Sequence, residues 1–205
     1  MTRAKKALRQ RSPRGAISRP QIVEAALRSL ATTGFEQMTI RSLAAELGVA
    51  PMSLYRHIRD KDDLMGEVVD ELLRQGNTAP PQTGPWQSRI MAAADALRQL
   101  LVTEPGALYV YLRHPVVSPA AVDRMEMMLS LLRDAGFDEA SAREAYAAIQ
   151  TYTIGFAALE ASRAGWKPDA DSDPLSIELS AFATPAQFSR GLRFLLEGIE
   201  ADAAV

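Results

Sequence analysis

The chain has 205 residues, 47% of them hydrophobic, with no cysteine and two histidines. That composition suffices for a buried core, and it excludes disulfides, thiolate nucleophiles and thiolate metal sites while leaving little for imidazole-based metal chemistry. The formal net charge of -2 hides an asymmetry: through Lys61 the chain carries 12 Lys+Arg against 4 Asp+Glu, and after it 11 against 21. A basic front of this kind suits a polyanion that the acidic remainder would repel; a solubilising basic tail is the plainer reading. There is no run of ~18 uninterrupted apolar residues to cross a bilayer. The basic N-terminus also lacks the apolar stretch of a secretory signal, so a cytoplasmic location is expected.

Residues 1–17 are rich in Arg and Lys, include Pro13 and Gly15, and read as a disordered basic arm. A helix is expected from Ser18, where Ser18 and Gln21 have capping-box spacing and Pro20 stands in the first turn. Ile22, Val23, Ala26, Leu27 and Leu30 then share one face until Gly34. Next come two brief helices. Thr39 caps the first, with Leu43, Ala44 and Leu47 inward, and Gly48 breaks it; Pro51 opens the second, which carries Leu54 and Ile58. Asp60 caps a further helix through Leu64, Val68, Leu72 and Leu73, closed by Gly76, Pro80, Pro81, Gly84 and Pro85. Beyond these breakers, helices are expected near 86–103, 106–113, 119–135, 139–164, 174–182 and 185–202, separated by Pro105, Pro115, Gly136, Gly165, Pro168 and Pro185. No segment alternates as a strand.

The two brief helices joined at Gly48 have helix-turn-helix spacing. A recognition helix presents small or polar side chains to base edges while its other face packs inward. From Ala50 to His57 the sequence does both: Leu54 and Ile58 point one way, and Pro51, Met52, Ser53, Tyr55, Arg56 and His57 offer groups that reach DNA. Arg56 suits a base or phosphate contact, Ser53 and Tyr55 can donate to phosphate, and Met52 or Ala50 can touch a thymine methyl. Thr39 and Arg41 open the supporting helix, where backbone N–H groups favour a phosphate, and Lys61 is a second clamp. A leucine-rich hairpin that merely packs is the competing reading; Tyr55 is then a core tyrosine and His57 a helix-end hydrogen bonder.

The run from Ile17 to Leu73, above all TIRSLAAELGVAPMSLYRHIRDKDDL, resembles the DNA-binding domain of the TetR family of bacterial repressors. The family's pattern falls on Thr39, Ala44, Leu47, Gly48, Leu54, Tyr55, His57, Lys61 and Leu64. The resemblance implies phosphate contacts by Tyr55 and Lys61, a backbone anchor at Thr39, and an operator-facing surface of Arg41 and residues 50–56. PWQSRI, LLRDAGF and YTIGFAALE are similar to the effector domain of tetracycline-repressor-like members. The expected architecture is all-α with about nine to ten helices: the arm (1–17), a three-helix helix-turn-helix domain (18–62), and an effector-binding and dimerisation domain (63–205).

In the rear domain, Tyr109, Leu112 and His114 cluster beside Tyr111 at a proline-terminated helix, Met125, Met128 and Leu129 follow beside Met127, and Ile149, Tyr152, Thr153 and Phe156 lie on a long helix. Apolar walls with a few polar tips suit a small hydrophobic or aromatic effector, and methionines let such a wall repack; plain core is the alternative for each residue. Phe188, Leu192, Leu195 and Ile199 recur at spacing 4, 3, 4, with Tyr152, Gly155, Phe156 and Leu159 as a second stripe. The resemblance implies that two helices per subunit form a four-helix homodimer interface; packing within the chain is the alternative. No metal or cofactor is assigned, because the ligands of the tetracycline repressor's magnesium-bound drug find no matching positions.

The expected function is a DNA-binding transcriptional regulator, a repressor released from a palindromic operator by ligand. An enzyme lacks support, since no nucleophile–base pair, phosphate loop or metal cluster is present. A helical scaffold that never meets DNA is the other alternative, and the salt dependence of DNA binding separates the two.

Overall fold

The structure, a computed structural model, describes residues 17–113, 118–164, 173–175, 178 and 182–203. Among these residues it contains nine helices and no strand: α1 (Arg19–Thr33), α2 (Ile40–Glu46), α3 (Pro51–Leu54), α4 (Lys61–Gln75), α5 (Trp86–Thr103), α6 (Pro105–Arg113), α7 (Pro119–Asp134), α8 (Glu139–Arg163) and α9 (Pro185–Ala203). The expected arm, up to residue 16, and most of the expected helix near 174–182 lie outside the described residues.

Helix starts follow side chains that satisfy the first orphan N–H groups. Gln21 Oε1 accepts the Ser18 N–H at 2.9 Å, completing the capping box of α1. Thr39 Oγ1 accepts from Ser42 N at 3.0 Å, Asp60 Oδ1 from Asp63 N at 2.7 Å, and Asp138 Oδ1 from Ser141 N at 2.8 Å. Before α9, Thr184 and Gln187 form a reciprocal pair, 3.0 and 3.3 Å, that the sequence reading had not singled out. Between α2 and α3 the chain reverses at Gly48, whose φ of 68° is left-handed and suits a residue without a Cβ. Regular helix ends at Leu54, earlier than the spacing suggests, although Ile58 N still donates to Leu54 O at 3.0 Å and keeps Ile58 buried.

Two apolar clusters form the interior. The first joins Ile22, Ala26, Leu43, Leu54 and Ile58 of the front helices to Leu64, Met65, Val68, Val69, Leu72 and Leu73 of α4, and continues into Leu97 and Leu101 of α5 and Ala107 and Val110 of α6. The second gathers Ile90 and Ala94 of α5, Met128 and Leu132 of α7, Ile149 of α8, and Phe188, Leu192 and Leu196 of α9. The division expected after residue 62 therefore falls in the first turn of α4, which packs against both sides.

The stripe on α9 turns into its own chain. Phe188, Leu192 and Leu196 are buried, with Leu195 and Ile199 packed at the edge. Tyr152 of α8 stacks on Phe188, ring centroids 5.4 Å apart, and donates its hydroxyl to the Phe188 carbonyl at 3.0 Å. This brings the hydroxyl over Gly191, where any Cβ would overlap it. Gly191→Ala is expected to lower the unfolding free energy by about 1–3 kcal/mol through overpacking, with Tyr152→Phe restoring part of the loss. Denaturant titration of both variants checks this; a double variant no more stable than Gly191→Ala would contradict the contact.

Candidate DNA-binding surface and effector-domain interior

The front core leaves a polar surface. Leu54 and Ile58 are sealed inside, while Arg41, Ala50, Pro51, Met52, Tyr55 and Arg56 are exposed and Ser53 and His57 half-buried. Tyr55, at 48% exposure, is not a core tyrosine. Three acidic side chains of this region are held by other cations: Glu24 and Glu46 by Arg28, and Asp63 by Arg19 and Arg59. Among the described residues Arg41 and Arg56 make no ion pair, so their charge stays available to an external anion. Thr39 is exposed but engaged, its hydroxyl capping α2. Lys61 is engaged too: Nζ donates to the Phe35 carbonyl at 2.9 Å and lies 3.9 Å from the centre of its ring. That contact ties the start of α4 to the end of α1.

In the rear, the expected effector residues do not surround one space. Tyr109 and Leu112 flank an open recess that also includes Phe35 and Pro105, with the Tyr109 and Phe35 rings 4.3 Å apart. Met128, Leu129 and Ile149 are sealed in the second core, and Thr153 is buried with its hydroxyl on the Ile149 carbonyl at 2.7 Å. Tyr152 and Phe156 join Phe188 in an aromatic cluster against α9, and Met125 is half-buried on α7. His114 lies outside the described residues.

What sequence reasoning missed is a pair of buried guanidiniums. Arg98 of α5, 4% exposed, meets Glu160 in a two-pronged contact at 2.8 and 2.6 Å and Asp95 at 2.9 and 2.8 Å. Burial alone lowers an arginine's pKa, but these two carboxylates raise it above its ordinary value. Arg124 of α7, 3% exposed, has neutral acceptors among the described residues: Nε donates to the Thr78 carbonyl at 3.2 Å, Nη1 to Gln150 Oε1 at 3.2 Å and Nη2 to the Ala93 carbonyl at 3.4 Å, and the guanidinium also donates to the Tyr146 hydroxyl. Burial lowers its pKa, countered in part by the phenols of Tyr146 and Tyr111. Burial also pushes the Tyr111 phenol up to about 12 and raises that of Tyr146, so both remain neutral hydroxyls. Neither arginine interrupts the apolar period of its helix enough to mark it, because partners on other helices decide its environment.

Residues 22–68 match the family of bacterial regulatory proteins of the tetR type, and residues 79–185 match the tetracycline repressor-like C-terminal domain. The chain belongs to the TetR family. A transcriptional regulator of Saccharopolyspora erythraea is 30% identical over 92% of this chain and 87% of its own length. The transcriptional repressor DrrR1 of Streptomyces coeruleorubidus is 32% identical over 72% of this chain, which spans 55% of that relative. Among solved structures, BioQ with its double-stranded DNA operator has a TM-score of 0.69 and 27% identity, covering 90% of this chain and 99% of that one. This TetR-family chain is a DNA-binding transcriptional regulator with an all-α fold and an N-terminal helix-turn-helix.

The connection between its halves runs through α4 and one buried carboxylate. Asp70, 6% exposed, accepts the first-turn N–H of Ala120 at 2.8 Å, the Ser118 hydroxyl and the Arg74 guanidinium. It thus holds the N-terminus of α7 on α4. Burial raises the pKa of Asp70, but these hydrogen bonds and the Arg74 charge outweigh it and leave the carboxyl below its ordinary value. A depressed folded-state pKa stabilises the fold above the unfolded value of ~3.9, and the benefit fades as pH falls through the folded value. Asp70→Asn is therefore expected to lower the melting temperature near neutral pH, with the gap from the native chain narrowing below about pH 4. Thermal melts across pH check this; a gap independent of pH would remove the charge from the account.

Proposed function

We propose that this chain is a repressor that occupies a two-fold operator as a homodimer and releases it when a small, largely hydrophobic or aromatic molecule enters the C-terminal domain. The observation that carries the reading is the surface of Arg41, Ser53, Tyr55 and Arg56, turned outward from a sealed core and carrying two cations without an acidic partner among the described residues. Arg41, Arg56 and Tyr55 take phosphates or base edges, and Ala50, Pro51 and Met52 offer apolar contact to thymine methyls. Thr39 and Lys61 fix the frame through their contacts at the starts of α2 and α4, and His57 stands at the rim. The role places the protein in the cytoplasm and includes no enzymatic step; among the described residues no helix is long and apolar enough to cross a membrane.

The dimer reading draws support from faces that α8 and α9 leave uncovered. Leu159 is 43% and Phe194 63% exposed, and a Cβ at Gly155 or Gly198 would meet no atom within 4 Å. A glycine inside a helix costs about 1 kcal/mol relative to alanine, and no contact among the described residues requires it at either position. Close passage of helices from a second copy supplies a reason. Two-fold pairing would set the recognition elements one or more DNA turns (~34 Å) apart, as paired half-sites require.

Release passes through α4. Ligand in the rear domain shifts α6 and α7, and α4 follows because α6 grips it through Gly106 against Met65 and α7 through Asp70. Gel shifts with the chain's own flanking intergenic DNA test the reading. Arg41→Ala with Tyr55→Phe should weaken operator binding by about 1–3 kcal/mol per lost contact and flatten its salt dependence while the dimer persists. Phe194→Asp should yield monomers in sedimentation experiments and remove tight binding to the two-half-site fragment. Unchanged DNA binding in the first variant would misplace the surface, and an intact dimer in the second would misplace the interface.

A further inference from the structure

The two buried arginines of the rear domain are built differently. Arg98 has its charge balanced by Glu160 and Asp95, whereas among the described residues no carboxylate pairs with Arg124. A guanidinium carries five N–H donors, and besides the Tyr146 hydroxyl Arg124 meets three acceptors at 3.2–3.4 Å, beyond the usual length of a charge-assisted bond. Isolating a cation in a protein interior carries a penalty of several kcal/mol, tolerated where function requires the charge. Beside it stand two neutral phenols, Tyr146 on α8, whose oxygen accepts from the guanidinium and whose hydroxyl proton is left to donate, and Tyr111 on α6. Tyr111, Tyr146 and Gln150 are each half-buried, so these partners of the sealed guanidinium reach from the interior toward the surface.

We propose that Arg124 is the anchor for the effector, and that the effector is an aromatic anion whose carboxylate or ionised phenol binds the guanidinium with help from the Tyr111 and Tyr146 hydroxyls. This rests on the reading of the rear domain as a ligand sensor and names the chemical class it senses. The anion completes the charge balance that Glu160 and Asp95 provide for Arg98, and its ring lies against apolar neighbours such as Met125. Because Arg124 is on α7, whose first turn is held by Asp70, an anion drawn to it pulls on the segment that grips α4.

The test compares matched probes on the full chain. Aryl carboxylates of one to four fused rings, such as benzoate and 2-naphthoate, are set against their neutral carboxamides, with nitrophenols above their pKa as the phenolate arm and sodium chloride at equal ionic strength as control. At least one aryl anion should raise the melting temperature at millimolar concentration while its amide does not. The two arms show whether carboxylate or phenolate is taken. Arg124→Met should abolish the difference, and Tyr146→Phe, which keeps the ring, should weaken anion binding by about tenfold, the loss of one hydrogen bond to a charged group. If Arg124→Met fails to fold, Tyr146→Phe and the native chain still decide. Amides that stabilise as well as the acids, or no response to any anion, overturn the proposal. Gel shifts with the same compounds keep the two readings apart: operator release by neutral compounds alone sinks the anchor and leaves the regulator, whereas anion binding by a chain that holds no DNA does the reverse.

Discussion

Everything in this molecule depends on α4 being buried on more than one side. Leu64, Met65, Val68, Val69, Leu72 and Leu73 form one apolar cluster with the helix-turn-helix core in front and with α5 and α6 behind. Close-packed interiors transmit displacement instead of absorbing it, because moving one side chain by a fraction of its radius forfeits contacts or creates overlap. A helix embedded in such a cluster moves with its surroundings or not at all. The front helices then have no independent orientation: their attitude toward DNA is whatever α4 dictates.

The fold was largely legible in the sequence because its punctuation is local. Ser18, Thr39, Asp60 and Asp138 cap the helices that follow them, and Gly48 turns where its spacing demands. Which side chains face out between Arg41 and Arg56 was legible for the same reason, since the buried Leu43, Ala44, Leu54 and Ile58 of two short adjacent segments fix the outward face of each. The interior of the rear domain was not. Met128, Ile149 and Phe156 have the composition of a ligand wall, yet helices distant in sequence decide whether such residues line a space or fill one, and here Phe188 and its neighbours pack against them. Arg124 illustrates the opposite failure. Nothing in its own helix distinguishes it from the exposed Arg133 nine residues later; its burial comes from the Thr78 segment, α5 and α8 closing over it.

Charge is distributed at two scales that serve the same end. Over the whole chain, positive charge is concentrated before Lys61 and negative charge after it, so the rear domain is a poor neighbour for phosphate and the front is drawn to it. Within the acidic rear, single cations are buried, and the fold treats them unequally. Arg98 links α5 to α8 through Glu160, and Phe188 of α9 lies beneath it, so this pair works as an internal tie. Arg124 spans the Thr78 segment, α5 and α8 through neutral groups that bind it without cancelling its charge.

That inequality bears on how a two-state sensor stays poised. A ligand shifts an equilibrium only by the difference in its affinity for the two states, and coupling of about 1–3 kcal/mol changes affinity at the other site about 5- to 150-fold. An interior already satisfied in every polar group has little to gain from a ligand and no preferred direction in which to respond. A domain with one under-compensated charge on α7 has both, because any arrangement that lets an external group satisfy it is favoured over the resting one. The Asp70 contact converts that preference into a position of α4: the carboxylate accepts the Ala120 N–H at the start of α7, so α7 cannot be drawn inward without changing the geometry at α4. The sealed second core, in which Met128 and Leu132 of α7 pack with Ile149, Phe188 and Leu192, binds the middle of α7 to α8 and α9 through apolar contacts that are unaffected by charge. On the proposed reading, sensitivity is concentrated at a few polar contacts, and the hydrophobic clusters supply the rigidity that would carry a movement to the helix-turn-helix.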